Sequence, residues 1–202
     1  MLLAATAISS AATVVLDATK QGATFTGFVL PGGTVTVDTP KIQLSLGPGT
    51  YTITDGDTSA TGSAWDYSTA AEGAAWLWDF AAVDDATNVV LLRDYIGTSA
   101  STLEFFNSRA LAAQATGVKF YGGTNGTTLL SATSTTSFSD TFTLTGSGAT
   151  LDFIIPDGVI ADDLGGMTLI VTRNETGVPE PASFFLVATV LAAGCLRLRR
   201  RA

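Results

Sequence analysis

The sequence predicts an all-β protein: an antiparallel β-sandwich of jelly-roll-like form, carrying one short helix and followed by a C-terminal transmembrane helix. Three observations lead there. Of the 202 residues 46% are hydrophobic but only 14% are charged, against a usual ~25% charged, and Gly, Ser and Thr fill the difference. Thr alternates with Val, Ile, Phe and Leu, as half-buried strands require. Turn signals recur at short spacing along residues 13–177, the pattern of sandwiches and jelly rolls.

Taken in order, residues 1–12 read as a signal peptide. Met1–Ile8 is apolar, and Ser9, Ser10, Ala11 and Ala12 are small residues of the kind signal peptidase accepts. No Lys or Arg precedes the apolar stretch, so it reads as the later part of a signal peptide whose basic start lies upstream. A first strand beginning near Ala5 is the competing reading.

Residues 13–177 form the expected outer domain. Strand candidates are Thr13–Leu16, Ala23–Leu30, Thr34–Val37, Ile42–Leu46, Thr50–Thr54, Ala74–Ala82, Asn88–Leu92, Val118–Tyr121, Ser137–Leu144, Ala149–Ile155 and Met167–Thr172. Pro31-Gly32-Gly33, Gly47-Pro48-Gly49, Asp55-Gly56-Asp57, Gly122-Gly123 and Pro156-Asp157-Gly158 break them apart. Thr141, Thr143 and Thr145 alternate with Phe142 and Leu144, a clear two-residue period. Leu103, Phe106, Ala110, Leu111 and Ala113 fall near one helical face between Ser101 and Thr116, with a strand over Thr102–Phe106 as the alternative. Asp57–Thr69 and Gly122–Thr136 are read as long loops.

Residues 178–202 differ in kind. Val178-Pro179-Glu180-Pro181 cannot continue a strand or begin a helix before Pro181, so it is a stiff connector. Ala182–Leu196 is apolar apart from Ser183 and Thr189 and stops at Arg197, Arg199, Arg200 and Arg201. As a helix those fifteen residues span about 22 Å, short of the ~30 Å hydrocarbon core. Snorkelling arginines cover part of the shortfall. Clustered Arg keeps that end cytoplasmic and the preceding body outside.

The composition also excludes chemistry. There is no His, which removes the commonest general base and metal ligand. The single Cys, Cys195, lies in the C-terminal apolar run, so the outer domain has no disulfide, thiol nucleophile or ordinary zinc site. The net charge is −8. With the four C-terminal arginines and Glu180 set aside, six basic and seventeen acidic residues leave the body at −11. Such a body repels phosphate backbones, so no nucleic-acid partner is expected.

Three constellations remain. Asp157, Asp162 and Asp163 crowd a turn ahead of Gly165-Gly166; oxygen-only ligands on a loop suit Ca²⁺ rather than zinc or copper. Asp55, Asp57 and Asp66 flank Trp65 and Tyr67, but the later ligands of an EF-hand are missing. Trp65, Trp76 and Trp78 are candidate carbohydrate-stacking residues, with Trp76 and Trp78 on one strand face by alternation; aromatic core is the competing reading. Paired carboxylates alone suffice for glycoside hydrolysis, but no Ser–His pair or phosphate-cradling loop is present.

Val178-Pro179-Glu180-Pro181-Ala182, the short apolar run and the terminal Arg cluster together resemble the PEP-CTERM sorting signal of Gram-negative bacteria that secrete extracellular polysaccharide. The resemblance to the sorting signal covers residues 178–202. It implies a PEP-CTERM exported protein, transiently held in the inner membrane and processed by exosortase, a membrane protease-transpeptidase thought to cut near the PEP element. Its expected destination is the cell surface or extracellular matrix, among exopolysaccharide. The segment Phe153–Val171 is similar to the last strands of many PEP-CTERM outer domains, and distantly to the calcium loop of bacterial galactose-binding jelly-roll lectins. It departs from the lectin pattern in carrying Asp163 where Asn is usual and in its shorter loop. The expected function is a non-enzymatic structural or adhesive role in the matrix. Calcium-assisted carbohydrate binding is second and a secreted hydrolase third.

Overall fold

The computed structural model describes residues 10–24, 28–38, 40–57, 59, 62–67 and 75–174. Val14 and Leu16 point inward from β1 (Ala11–Asp17) while Thr13 and Val15 face water, the alternation of a strand with one buried face. A small ribbon of β2 (Ala23–Thr24) and β3 (Thr36–Val37) follows. Next come β4 (Ile42–Leu46), β5 (Gly49–Asp55), β6 (Ala64–Asp66), β7 (Trp76–Leu77), β8 (Asp79–Asp84), β9 (Val90–Ser99) and β10 (Thr102–Leu103). After α1 (Arg109–Ala113) the chain makes β11 (Lys119–Gly122), β12 (Thr128–Leu130), a 3-10 turn at Thr135–Ser137, β13 (Ser139–Leu144), β14 (Ala149–Ile154) and β15 (Leu164–Arg173).

These strands build two antiparallel sheets. The first runs β13-β5-β15-β6-β7, with β1 also paired to β15; the second runs β12-β11-β9-β8-β14-β4, with β10 beside β9. One core joins them. Val14, Ile53, Phe142 and Leu169 from the first sheet pack with Phe80, Leu92, Phe120 and Phe153 from the second. The all-β sandwich expected from the sequence is therefore present. Trp78, Phe80, Phe120 and Phe138 make its aromatic centre, with Trp78 and Phe138 centroids 4.4 Å apart; such contacts contribute about 0.5–1.5 kcal/mol each beyond area burial. Outside the second sheet, Ala23, Val35 and Val29 pack on Ala81, Val83, Val90 and Ile154. This strap buries β8 on both faces.

Several expectations are corrected. The segment read as helical is mostly not: Thr102–Leu103 is a strand, and Phe106 exchanges backbone bonds of 3.0 and 2.9 Å with Trp76. The ladder claims residues 102–106, and only Arg109–Ala113 is helical, behind the Ser108 cap. Asp57–Thr69 contains β6 and Gly122–Thr136 contains β12. Ala74–Ala82 is not one strand. The chain pairs with the first sheet at Trp76–Leu77, crosses at Trp78 and continues in the second sheet from Asp79.

All described residues belong to one compact unit, Ser10–Asn174. Residues 1–9 of the expected signal peptide lie outside the described residues, as do Val178, Pro179, Glu180, Pro181, Arg197, Arg199, Arg200 and Arg201 with the expected transmembrane helix. Ala11 and Ala12, both considered for the signal-peptidase site, pair with Thr172 and Val171. Among the described residues no helix is long and apolar enough to cross a membrane.

Candidate functional site

The β14–β15 connection is anchored where it leaves β14 by two backbone bonds. Ile155 N–H donates to Gln21 O at 2.7 Å, and Asp157 O accepts from Ala23 N–H at 3.0 Å. Asp157 Oδ1 accepts from Val159 N–H at 2.7 Å, a side-chain turn that Asp forms readily. The chain then re-enters the sheet through two glycines. A Cβ at Gly166 would stand 2.0 Å from Leu16 O. Gly165 has φ +84°, and a Cβ there would meet Ala64 O at 2.7 Å and the Trp76 ring at 2.9 Å. Only glycine permits both the turn and the close approach.

This return lays Leu164 opposite Asp66 on β6 and gathers four carboxylates. Asp163 is 1% exposed, and neither of its oxygens has a hydrogen-bond partner. Asp162 Oδ1 is likewise buried and unpartnered. Burial, then the charges of Asp157, Asp162 and Asp66, push the Asp163 carboxyl up to about 8. Asp157 is also raised, chiefly by burial, while the Val159 N–H opposes the shift.

The structure thus unites Asp157, Asp162 and Asp163 and adds Asp66, which the sequence had grouped with Asp55 and Asp57. Asp66 also accepts from Ala75 N–H at 3.1 Å. Asp55 instead accepts from Ser63 Oγ–H at 2.6 Å and Asp57 N–H at 3.0 Å, and Asp57 accepts from Ser59 N–H at 2.8 Å. These are turn-forming roles. The unpartnered oxygens of Asp163 suit a hard cation in chemistry. In geometry the fit fails: among the described residues no three acidic side chains are arranged to hold a metal ion.

The tryptophans do not form one platform. Trp65 is 1% exposed and its Nε1–H donates to Asp79 O at 2.9 Å; Trp78 is fully buried. A sugar ring cannot stack on either. Trp76 is half-buried, against Ala64, Ala112 and Ala113, with the Arg109 guanidinium 5.9 Å from its ring. The alternation that placed Trp76 beside Trp78 fails because the chain changes sheets between them. Exposed aromatic surface lies instead at Tyr67 and Phe105, whose centroids are 5.3 Å apart.

Comparison with protein families, with curated proteins and with solved structures finds no match.

Proposed function

We propose that this chain is an exported protein of the cell surface or extracellular matrix, processed by an exosortase-type membrane protease-transpeptidase and serving a non-enzymatic structural or adhesive role among exopolysaccharide. One observation carries the reading. Val178-Pro179-Glu180-Pro181, an apolar run and an Arg cluster follow one another in that order at the C-terminus. A run of about 22 Å is a marginal permanent anchor, which suits a helix held briefly and cut. The outer strand faces agree with a hydrated role. Thr50 and Thr143 hydroxyls meet at 3.1 Å on the first sheet, and Ser45 and Thr150 hydroxyls at 2.9 Å on the second.

The test is to replace Pro179, Glu180 and Pro181 with Ala in the native host and fractionate the cells. The reading expects uncut protein to accumulate in the inner membrane and the matrix to be depleted of it. Unchanged delivery to the matrix would reject the sorting role.

A second reading, calcium-assisted carbohydrate binding by a jelly-roll-like module, is favoured by the unpartnered oxygens of Asp163 and Asp162. It requires the carboxylates to draw together around the ion, because they do not converge as they stand. It expects Ca²⁺ to raise the melting temperature, EDTA to reverse this, and Asp162→Ala to weaken glycan binding. A melting temperature indifferent to both reagents would retire it.

A further inference from the structure

Asp94 and Asp140 lie far apart in sequence and on different sheets, yet their carboxyls meet inside the sandwich. Asp94 projects inward from β9, opposite Phe80 on β8, and is 0% exposed. Asp140 projects inward from β13, beside Phe142 and Leu144, and is 8% exposed. One backbone group serves both. Gly123 N–H donates to Asp140 Oδ2 at 2.9 Å and lies 3.3 Å from Asp94 Oδ1. Asp140 Oδ1 also accepts from Thr141 N–H at 2.7 Å. Asp94 Oδ2 is buried with no donor to accept from.

The chain makes room for this meeting. A Cβ at Gly122 would stand 1.7 Å from Asp94 Oδ1, so β11 carries glycine where the carboxyl crosses it. Gly123 then opens the β11–β12 hairpin at φ +78°, which turns its N–H toward the pair. At the hairpin tip, a Cβ on Gly126 would meet Pro31 at 2.6 Å, so the hairpin rests closely on the strap.

Two ionised carboxylates cannot share one N–H inside a protein without a cation or a proton between them. The charged groups that act most strongly on Asp94 are Asp140 from β13 and, more weakly, Asp79 from β8, and the opposing influence is the Gly123 N–H of the hairpin. A neutral Asp94 resolves the conflict. Its O–H can donate to the Asp140 carboxylate, giving Oδ2 the partner it lacks and forming a short charge-assisted bond.

We propose that Asp94 and Asp140 are a proton-held clasp between the two sheets, which opens at the β11–β12 end when the shared proton is lost. The sign follows from where the proton sits. Burial first, then the Asp140 charge and its hydrogen bond, hold the Asp94 carboxyl well above the ordinary range. The clasp's contribution is therefore complete below the unfolded carboxyl value of about 3.9 and is lost as pH rises through the higher folded value. On the reading that the chain is exported, this ties the firmness of the sandwich to ambient acidity.

The test uses the full chain and follows thermal unfolding between pH 4.5 and 9. Wild type should lose melting temperature across that range. Asp94→Asn keeps an N–H donor facing Asp140 and cannot ionise, so its loss should be smaller by at least ~2 °C, about the shift one kcal/mol gives at this size. Asp163→Asn, run alongside, removes another raised carboxyl and should leave the Asp94 share in place. The same pH dependence in Asp94→Asn as in wild type would overturn the clasp. So would a Ca²⁺-induced rise in melting temperature that Asp94→Asn abolishes, because a metal would then occupy the pair. Should Asp94→Asn fail to fold, the carbon resonance of the Asp94 carboxyl in wild type reads the proton directly: titration in the ordinary carboxylate range overturns the proposal, and titration well above it supports it.

Discussion

Asp79 and Asp163 are equally sealed from water, at 0% and 1% exposed, but their neighbours are opposites. Asp79 faces Arg93, whose Nη2–H and Nε–H donate to its two oxygens at 2.6 and 3.1 Å. Arg93 Nη1–H donates to Val29 O at 2.7 Å, and its guanidinium lies 4.1 Å from the Phe28 ring centroid. That region is closed: each charged atom has a partner, and the pair fastens the strap to the second sheet. Asp163 meets three other acids and no donor. A buried carboxylate with its own cation belongs to the frame, whereas one among like charges stores a conflict that a proton or a ligand must relieve.

The contrast can be broken most severely on the Asp79 side. Arg93→Met keeps much of the side-chain volume but leaves Asp79 buried without its cation, where burial already raises its carboxyl. It should cost about 3–5 kcal/mol, measured by urea unfolding. A loss under ~1 kcal/mol, the scale of an exposed pair, would show that the strap does not depend on this bond.

Asp163→Asn should have the opposite sign at alkaline pH. In wild type the carboxyl at about 8 contributes its stability below the unfolded value of about 3.9 and loses it as pH rises through 8. The Asn variant should therefore melt on the order of 5 °C above wild type at pH 9 and show little difference at pH 4. A variant that is less stable throughout would mean that Asp163 is ionised and paired.

Smaller effects map the turn that brings the acids together. Gly165→Ala adds a Cβ at φ +84° against Ala64 O and should cost about 1–3 kcal/mol, with Trp76 fluorescence reporting the displaced indole. Asp157→Ala removes one acceptor of a backbone N–H and should cost about 0.5–1.5 kcal/mol. It should also lower the Asp163 titration, since one of the charges acting on it is gone.

How much of this was legible in the sequence depended on whether the signal was local. β4 and β13 announce themselves by alternation, and β13 buries Asp140, Phe142 and Leu144 while exposing Ser139, Thr141 and Thr143. β6 shows no alternation because all three of its residues are buried, so it read as loop. The switch of sheets at Trp78 is equally silent, since a strand that crosses keeps the composition of one that does not. Glycines gave the outline of the site: Gly165-Gly166 marked the return beside Asp163. They did not disclose that Asp66 joins it, which needs the pairing of β6 with β15. The meeting of Asp94 with Asp140 left one trace, Gly122-Gly123, which reads in sequence as an ordinary turn.

The Arg93–Asp79 pair, the Asp163 corner and the Asp94 clasp all concern how the β-sandwich holds together; the proposed function turns on what becomes of the tail. Its most direct measurement is the C-terminus of the mature protein, read by mass spectrometry on material recovered from the extracellular matrix of the native host. The account predicts a chain ending near Val178–Pro181, with no peptide from Arg197–Ala202. An intact chain ending at Ala202, in matrix and membrane fractions alike, would contradict it.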